Sequence, residues 1–150
     1  MSELSDAELL ALLQRRSSAA VGGHLGHELI EIDRAGFARA RFRAEAAFLN
    51  PLGTVQGGIL TAMLDEVMVD AALARLGADV VVPTLEIKTS FLRAVEAGPL
   101  TGEGRVTRAG RSVVFTEGTL FDADGREVAR ASATATIRPL PGGAGKAGPG

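Results

Sequence analysis

The sequence predicts an α+β fold in which a curved antiparallel β-sheet wraps around one long central helix. The first observation is the stretch from Gly58 to about Leu76, which is apolar on nearly every face of a helix. A helix of that kind is buried, because exposing it would leave a large apolar surface in water. The second is a set of five or six segments that alternate apolar and polar residues, separated by turn signals; these read as half-buried strands. The third is a matter of cover: the helix must be buried, and antiparallel strands are what the chain has to bury it with. Such a sheet has edge strands, which small proteins commonly pair with another subunit, so at least a dimer is expected.

The elements follow in order. Ser5-Asp6-Ala7-Glu8 ahead of L-L-A-L-L is a capping-box pattern and starts a helix to about Ala20, which Gly22-Gly23 ends. His27 to Asp33 reads as a strand. Phe37 to Phe48 alternates Ala38, Ala40 and Phe42 against Arg39, Arg41 and Arg43, a half-buried strand with a solvated arginine face. Asn50-Pro51-Leu52-Gly53 is a loop by its turn chemistry. The central helix runs to Leu76, roughly 28 Å at 1.5 Å per residue, and Gly77 stops it. Val80 to Val95 reads as one long strand with Leu85, Ile87, Thr89 and Phe91 on one side and Thr84, Glu86, Lys88 and Ser90 on the other. Leu100 to Thr107, Ser112 to Phe121 and Glu127 to Ile137 complete the sheet, with turns at Ala109-Gly110 and Asp122-Ala123-Asp124-Gly125. Residues 1–20 form an N-terminal helical segment, 21–139 the main domain, and 140–150 a Gly/Pro-rich tail of disordered composition.

Composition excludes several classes. The chain has 150 residues with 46% apolar and 23% charged, ordinary for a globular domain, and a net charge of −2. The basic residues form no run and the only aromatics are six Phe, so no nucleic-acid footprint is present. There is no cysteine, which removes a disulfide framework, a thiol nucleophile and a cysteine-based zinc site. The acidic start M-S-E-L-S-D-A-E-L-L argues against a signal peptide, and Asp65, Glu66 and Asp70 interrupt the longest apolar stretch, so no membrane span is expected. A cytoplasmic protein is the expectation.

The chemistry concentrates between Asn50 and Ala72. Gly57-Gly58 opens the central helix, and bare N–H groups at a helix start bind or polarise an oxygen. Asp65 lies about two turns inside, where a carboxylate among apolar neighbours requires compensation. An oxyanion-binding helix start with an acid further along reads as an acyl-transfer or hydrolysis site. Ile59, Leu60, Met63 and Phe91 would wall the acyl group. Taken singly the features are weaker, since a glycine pair can be a plain turn, Asp65 a solvent-facing acid, and Asn50 a residue that bonds its own loop.

The pattern Asn50-x-x-Gly53-x-x-Gln56-Gly57-Gly58, with Asp65 seven residues on, resembles the hot-dog-fold acyl-CoA thioesterases. The branch it is most similar to is named after the phenylacetate-degradation thioesterase. V-V-P-T-L-E-I-K-T-S-F-L-R-A-V, G-R-V-T-R-A-G-R-S and D-A-D-G-R-E-V-A-R-A extend the likeness over Leu25 to Arg138. The resemblance implies that Asp65 is the catalytic carboxylate, as a base for water or as a nucleophile. It implies that the Gly57 N–H polarises the thioester carbonyl and that Asn50 supplies an amide near the thioester or water. Thr84 falls close to a hydroxyl that positions water from the partner subunit, with Thr89 and Ser90 as competitors. Gln56 stands where the family usually has His; glutamine can orient a group but cannot titrate near neutral pH. An acyl-CoA substrate with a medium-chain or aryl acyl group, no further cofactor, no metal, and a homodimer or homotetramer with interfacial sites are implied.

Other polar residues receive plainer readings. Glu66 and Asp70, four apart on one helix face, are expected to be solvated or to meet a partner subunit. His24 and His27 make a poor metal site and read as loop or surface histidines. Arg108, Arg111 and Arg138 could contact coenzyme A phosphates or form a solvated face. The alternative to an enzyme is a non-catalytic acyl-CoA-binding or regulatory protein of the same fold. A dehydratase or hydratase ranks last, because no suitably placed His accompanies the carboxylate.

Overall fold

The computed structural model describes residues 3–142, so the greater part of the Gly/Pro-rich tail lies outside the described residues. Helix α3 (Gly57–Leu76) is the axis around which everything else is arranged. Its C-terminal stop is Gly77, at φ 93°, whose N–H reaches back to the Leu73 carbonyl. A six-stranded antiparallel sheet packs against it in the order β1 (Glu28–Asp33), β2 (Phe37–Ala44), β5 (Gly98–Ala109), β6 (Val113–Phe121), β7 (Glu127–Thr136) and β4 (Thr84–Phe91). A separate short pair joins β3 (Val80–Val81) to β8 (Arg138–Pro139). Among the described residues no helix is long and apolar enough to cross a membrane.

Alternation is obeyed on β2. Ala38, Ala40, Phe42 and Ala44 are buried toward α3, while Arg39 on the outer face reaches Glu31 on β1 and Glu103 on β5. The strand ends at Ala44, sooner than its alternation implies, and Ala46–Phe48 tighten into a 3₁₀ turn that leads to the Asn50 loop. The long strand expected over 80–95 is likewise divided. Pro83 cannot donate to a ladder and separates β3 from β4. A register shift between Thr84 and Glu86 follows, and its consequence is large. It turns Thr84 toward α3 together with Ile87 and Thr89, and leaves Leu85 62% exposed, the reverse of what strict alternation implies for both residues.

The N-terminal segment lies across α3. Helix α1 (Asp6–Ser18) begins with the expected reciprocal capping box of Ser5 and Glu8, and it buries Leu9 and Leu13 completely in the core. It ends before Ala20, and a separate turn, α2 (Val21–His24), contains Gly22 and Gly23 rather than stopping at them.

The core is made by close approach. The inner positions of β5 and β6 include Gly102, Gly104 and Gly118, and α3 rests directly on them. A Cβ added at Gly104 would lie 2.3 Å from the Val67 carbonyl oxygen, a backbone atom that cannot move aside. At Gly102 and Gly118 the obstacles are the side chains of Phe42 and Met68, both at 2.9 Å. Leu60, Met63, Leu64, Val67, Met68 and Ala71 fill the interface, each large side chain contributing roughly 1.5–3 kcal/mol.

Two expectations from sequence are corrected here. Asp70 is 4% exposed rather than solvated, and His27 is 5% exposed rather than a surface residue. They meet each other, His27 Nε2 to Asp70 Oδ2 at 2.6 Å, as a buried ionisable pair must. Glu66 is half-buried and accepts a hydrogen bond from Ser17 of α1 at 2.7 Å. His24 is exposed as expected.

Gly104→Ala is expected to destabilise the fold by about 1–3 kcal/mol through overpacking against helix backbone. Urea unfolding measures this, and a midpoint equal to wild type would show that the sheet can give way at this position.

Candidate functional site

Helix α3 presents one face to the edge strand β4. Gly57, Thr61 and Asp65 recur every four residues along that face, and β4 answers them in antiparallel order. The Phe91 ring lies over Gly57, where a Cβ would come 2.9 Å from its Cζ. The Thr61 hydroxyl donates to Thr89 Oγ1 at 3.1 Å. The Thr84 hydroxyl donates to Asp65 Oδ1 at 2.7 Å. The bulge at Thr84 is therefore what brings a hydroxyl to the half-buried carboxylate. Of the competing hydroxyls, Thr89 serves Thr61, and Ser90 is exposed on the other side of the strand.

The helix start is open in the way its glycines suggest. Gln56 is the N-cap residue; its carbonyl accepts from Ile59 and Leu60, and its side chain makes no capping bond. The N–H groups of Gly57 and Gly58 have no backbone acceptor among the described residues. They sit at the positive end of a 20-residue helix, which favours an oxygen carrying negative charge. A cavity of about 350 Å³ opens beside them, with Leu60, Phe91, Leu92 and Val95 as apolar walls and Thr54 and Arg93 also on its lining. A larger depression of about 510 Å³ lies on the outer face of the sheet among Lys88, Glu103, Arg105, Glu117 and Arg130. Its lining is charged and includes no residue of the helix start, so the smaller cavity is the better candidate for a ligand that meets Gly57.

Other predicted residues fall in different places. Asn50 organises its own loop: Oδ1 accepts from the N–H groups of Leu52 and Thr54, and Nδ2 donates to Thr54 Oγ1. One Nδ2 hydrogen remains uncommitted in these contacts. Gln56 is exposed at the mouth of the helix. Gly58 is exposed with open space above it. Met63 has no exposed surface and belongs to the core beneath the site. Arg108 and Arg111 are exposed around the β5–β6 turn, where neighbouring Ala109 packs by Ala72 and Leu76 in the C-terminal half of α3. They are not gathered at Gly57 within one chain.

The residues that sequence reasoning missed are acid–base partners. Asp65, Glu66 and Asp70 point from α3 toward three different elements: Thr84 on β4, Ser17 on α1, and His27 ahead of β1. Burial raises the Glu66 carboxyl above its ordinary value; the Ser17 hydrogen bond and the charge of His27 oppose this, while the charges of Asp70 and Asp65 add to it. The periodicity of α3 could have placed Asp70 on a buried face beside Val67 and Ala71, but nothing local marked His27 as its partner.

A six-stranded antiparallel sheet around a long helix is a hot-dog fold. The chain belongs to the thioesterase superfamily, whose family profile matches residues 52–129. A Ralstonia eutropha JMP134 protein, described provisionally as a thioesterase related to phenylacetic acid degradation, is 39% identical. The match covers 85% of this chain and 98% of that one, with a TM-score of 0.77. A Saccharolobus solfataricus protein, named provisionally as an esterase, is 36% identical over 81 residues. That match covers 53% of this chain, and the chain spans only 56% of that relative's length. A Streptococcus mutans UA159 protein bound to acetyl CoA shares the fold, with a TM-score of 0.69 at 19% identity over 75% of this chain and 89% of that one.

The two glycines are separable by substitution. Gly58→Ala meets nothing within 4 Å and is expected to stabilise the helix by about 0.5–1 kcal/mol. Gly57→Ala forces Phe91 aside and is expected to gain less. Thermal unfolding of the two variants side by side checks the order; the reverse order would mean that Phe91 does not rest on Gly57.

Proposed function

We propose that the protein hydrolyses acyl-CoA thioesters with a medium-chain or aryl acyl group. The observation that supports this most is Asp65 receiving the Thr84 hydroxyl on the same helix face as the unpartnered Gly57 N–H, with a cavity walled in part by Leu60, Phe91 and Val95 at that helix start. The relative connected with phenylacetic acid degradation favours an aryl acid, and the acetyl CoA held by the Streptococcus mutans protein of the same fold favours a coenzyme A thioester.

In this mechanism the acyl carbonyl oxygen lies against the Gly57 and Gly58 N–H groups. Asp65 takes a proton from water as the water oxygen bonds to the carbonyl carbon, and charge builds on the carbonyl oxygen at the helix start. Collapse breaks the C–S bond, and the proton goes to the departing sulfur to give the free acid and coenzyme A. Alternatively the Asp65 carboxylate attacks directly and water then cleaves the resulting anhydride. Thr84 holds Asp65 in place for either route. Gln56 and the free Nδ2 hydrogen of Asn50 orient substrate or water, and neither carries a proton. Phe91 walls the acyl pocket, while Arg108, Arg111 and Arg138 are suited to the coenzyme A phosphates.

Distance argues that two chains build each site. Gly57 and Asp65 are eight residues apart on one helix, about 12 Å along its axis at 1.5 Å per residue. A single carbonyl cannot touch the first and receive water from the second. A second subunit placed along β4, the edge strand that exposes Leu85 and Phe91, with exposed Leu92 just after it, would bring its own helix within reach.

Thiol release from a panel of acyl-CoAs tests the activity. Asp65→Asn is expected to reduce kcat by about 100-fold or more, and turnover that survives it would remove Asp65 from the chemistry. Binding of acyl-CoA without turnover by the wild type would favour the non-catalytic reading. Mixing Asp65→Asn chains with Gly57→Val chains is expected to restore about a quarter of wild-type activity, since half the dimers are mixed and each has one intact site. No restoration would argue that each chain builds its site alone.

A further inference from the structure

The His27–Asp70 pair takes no part in this chemistry, yet it is the most deeply buried ionisable contact among the described residues. Asp70 sits on α3 five residues beyond Asp65. His27 lies in the connection between α2 and β1, and the Phe42 ring tilts against its imidazole at 5.5 Å. The same connection is bound from the other side by α1. Gln14 donates to the His27 carbonyl at 3.0 Å and accepts from the Leu29 N–H at 2.5 Å. Ser17 reaches Glu66, the residue next to Asp65, and Arg16 donates to the Ala78 carbonyl just beyond α3. The N-terminal segment thus grips α3 at Glu66 and Asp70, and the chain just beyond it at Ala78.

We propose that His27 and Asp70 form a proton-holding clasp that locks the N-terminal segment, residues 6–27, against α3 and so fixes the rotation at which Asp65 meets Thr84. Both are positioning residues. The clasp rests on the reading of Asp65 as the working carboxylate, but its effect on the fold does not. Its strength depends on the imidazole carrying a proton on both nitrogens: the Nε2 proton lies toward Asp70 in either state, and the one that titrates is on Nδ1. With that proton, the imidazolium and carboxylate neutralise each other. Without it, Asp70 keeps a buried charge with no counter-charge, because the other charged group acting on His27 is Glu66, also an acid. Gln14 and Ser17 from α1 and Phe42 from β2 are uncharged. The clasp is also not over-determined: His27 Nδ1 is buried with no hydrogen-bond partner among the described residues, so an opening costs less than for a fully satisfied pair.

The sign of the pH dependence follows. Burial by itself would push His27 down, but the hydrogen bond and charge of Asp70, with Glu66 behind it, more than offset this and shift it upward from 6.5. Burial also shifts Asp70 upward, with His27 opposing in part. Groups raised on folding bind protons more tightly in the folded state, so their stabilisation is present at low pH and lost as pH rises. For His27 that loss begins above its ordinary value of 6.5 and runs through its raised folded value.

Amide hydrogen exchange on the full chain, corrected for intrinsic rate, tests this between pH 6 and pH 9. Wild type is expected to lose protection in residues 6–27 as pH rises, with α3 following at Asp65. Unchanged protection there across that range overturns the clasp without any variant. Asp70→Asn replaces the ion pair by a neutral contact, and it is expected to flatten the fall in Tm over that range. It should also lower kcat by about tenfold at unchanged KM. A wild-type pH dependence in Asp70→Asn overturns the titrating pair, and an unchanged kcat overturns the positioning of Asp65. If wild type turns over no thioester, the proposed activity fails, whereas the exchange and Tm results still decide the clasp.

Discussion

The structure depends on how closely α3 is allowed to approach its sheet. At Gly104 the sheet touches helix backbone, with no room for even a methyl group. Removing side chains at Gly102, Gly104 and Gly118 lets the strands curve around the helix instead of standing off from it, and the gap is filled by the helix's own Val67, Met68 and Leu64. Packing at that density is intolerant of added volume, which makes α3 a fixed axis. Everything chemical in the chain is displayed on, or measured from, that axis.

Because the sheet takes one side of α3, polar groups are left for the flanks. One flank meets β4 and carries Gly57, Thr61 and Asp65; the other meets α1 and the His27 connection and carries Glu66 and Asp70. The two flanks are solved differently. Toward β4 the polar atoms are half-buried and next to an edge strand that has exposed apolar side chains. Toward the N-terminal segment each is paired, and the His27–Asp70 contact is sealed from solvent. An open polar flank suits a site that must admit substrate, and a sealed one suits an anchor.

Under the proposed mechanism, spacing along the helix also sets how many chains a site needs. An N-terminus that binds an oxygen is confined to the first turn, whereas a carboxylate eight residues on lies about 12 Å away. Such a helix cannot bring these two positions together by bending, least of all against a sheet this close. In that proposal a second chain supplies the apposed helix, along the edge strand β4.

Much of this was legible in the residues. The all-round apolar pattern of 58–76 requires a buried helix, alternation from Phe37 requires a half-buried strand although it ends at Ala44 and not at Phe48, and Gly57-Gly58, Gly77 and the turn dipeptides mark boundaries where Gly22-Gly23 does not, because period and backbone freedom are local. The Asp65 and Gly57 features were visible for the same reason: one helix and its first turn contain both. What only the tertiary structure decided were contacts between distant segments. Alternation alone put Thr84 on the face opposite Thr89, and the bulge after Pro83 reversed it to deliver a hydroxyl to Asp65. Asp70 and His27 each look solvated in sequence, and 43 residues separate them. Burial of either alone would be costly, and burial of both together is a decision made by packing. A single sequence carries no signal for such a pair, because its stability belongs to the meeting of the two and to neither residue by itself.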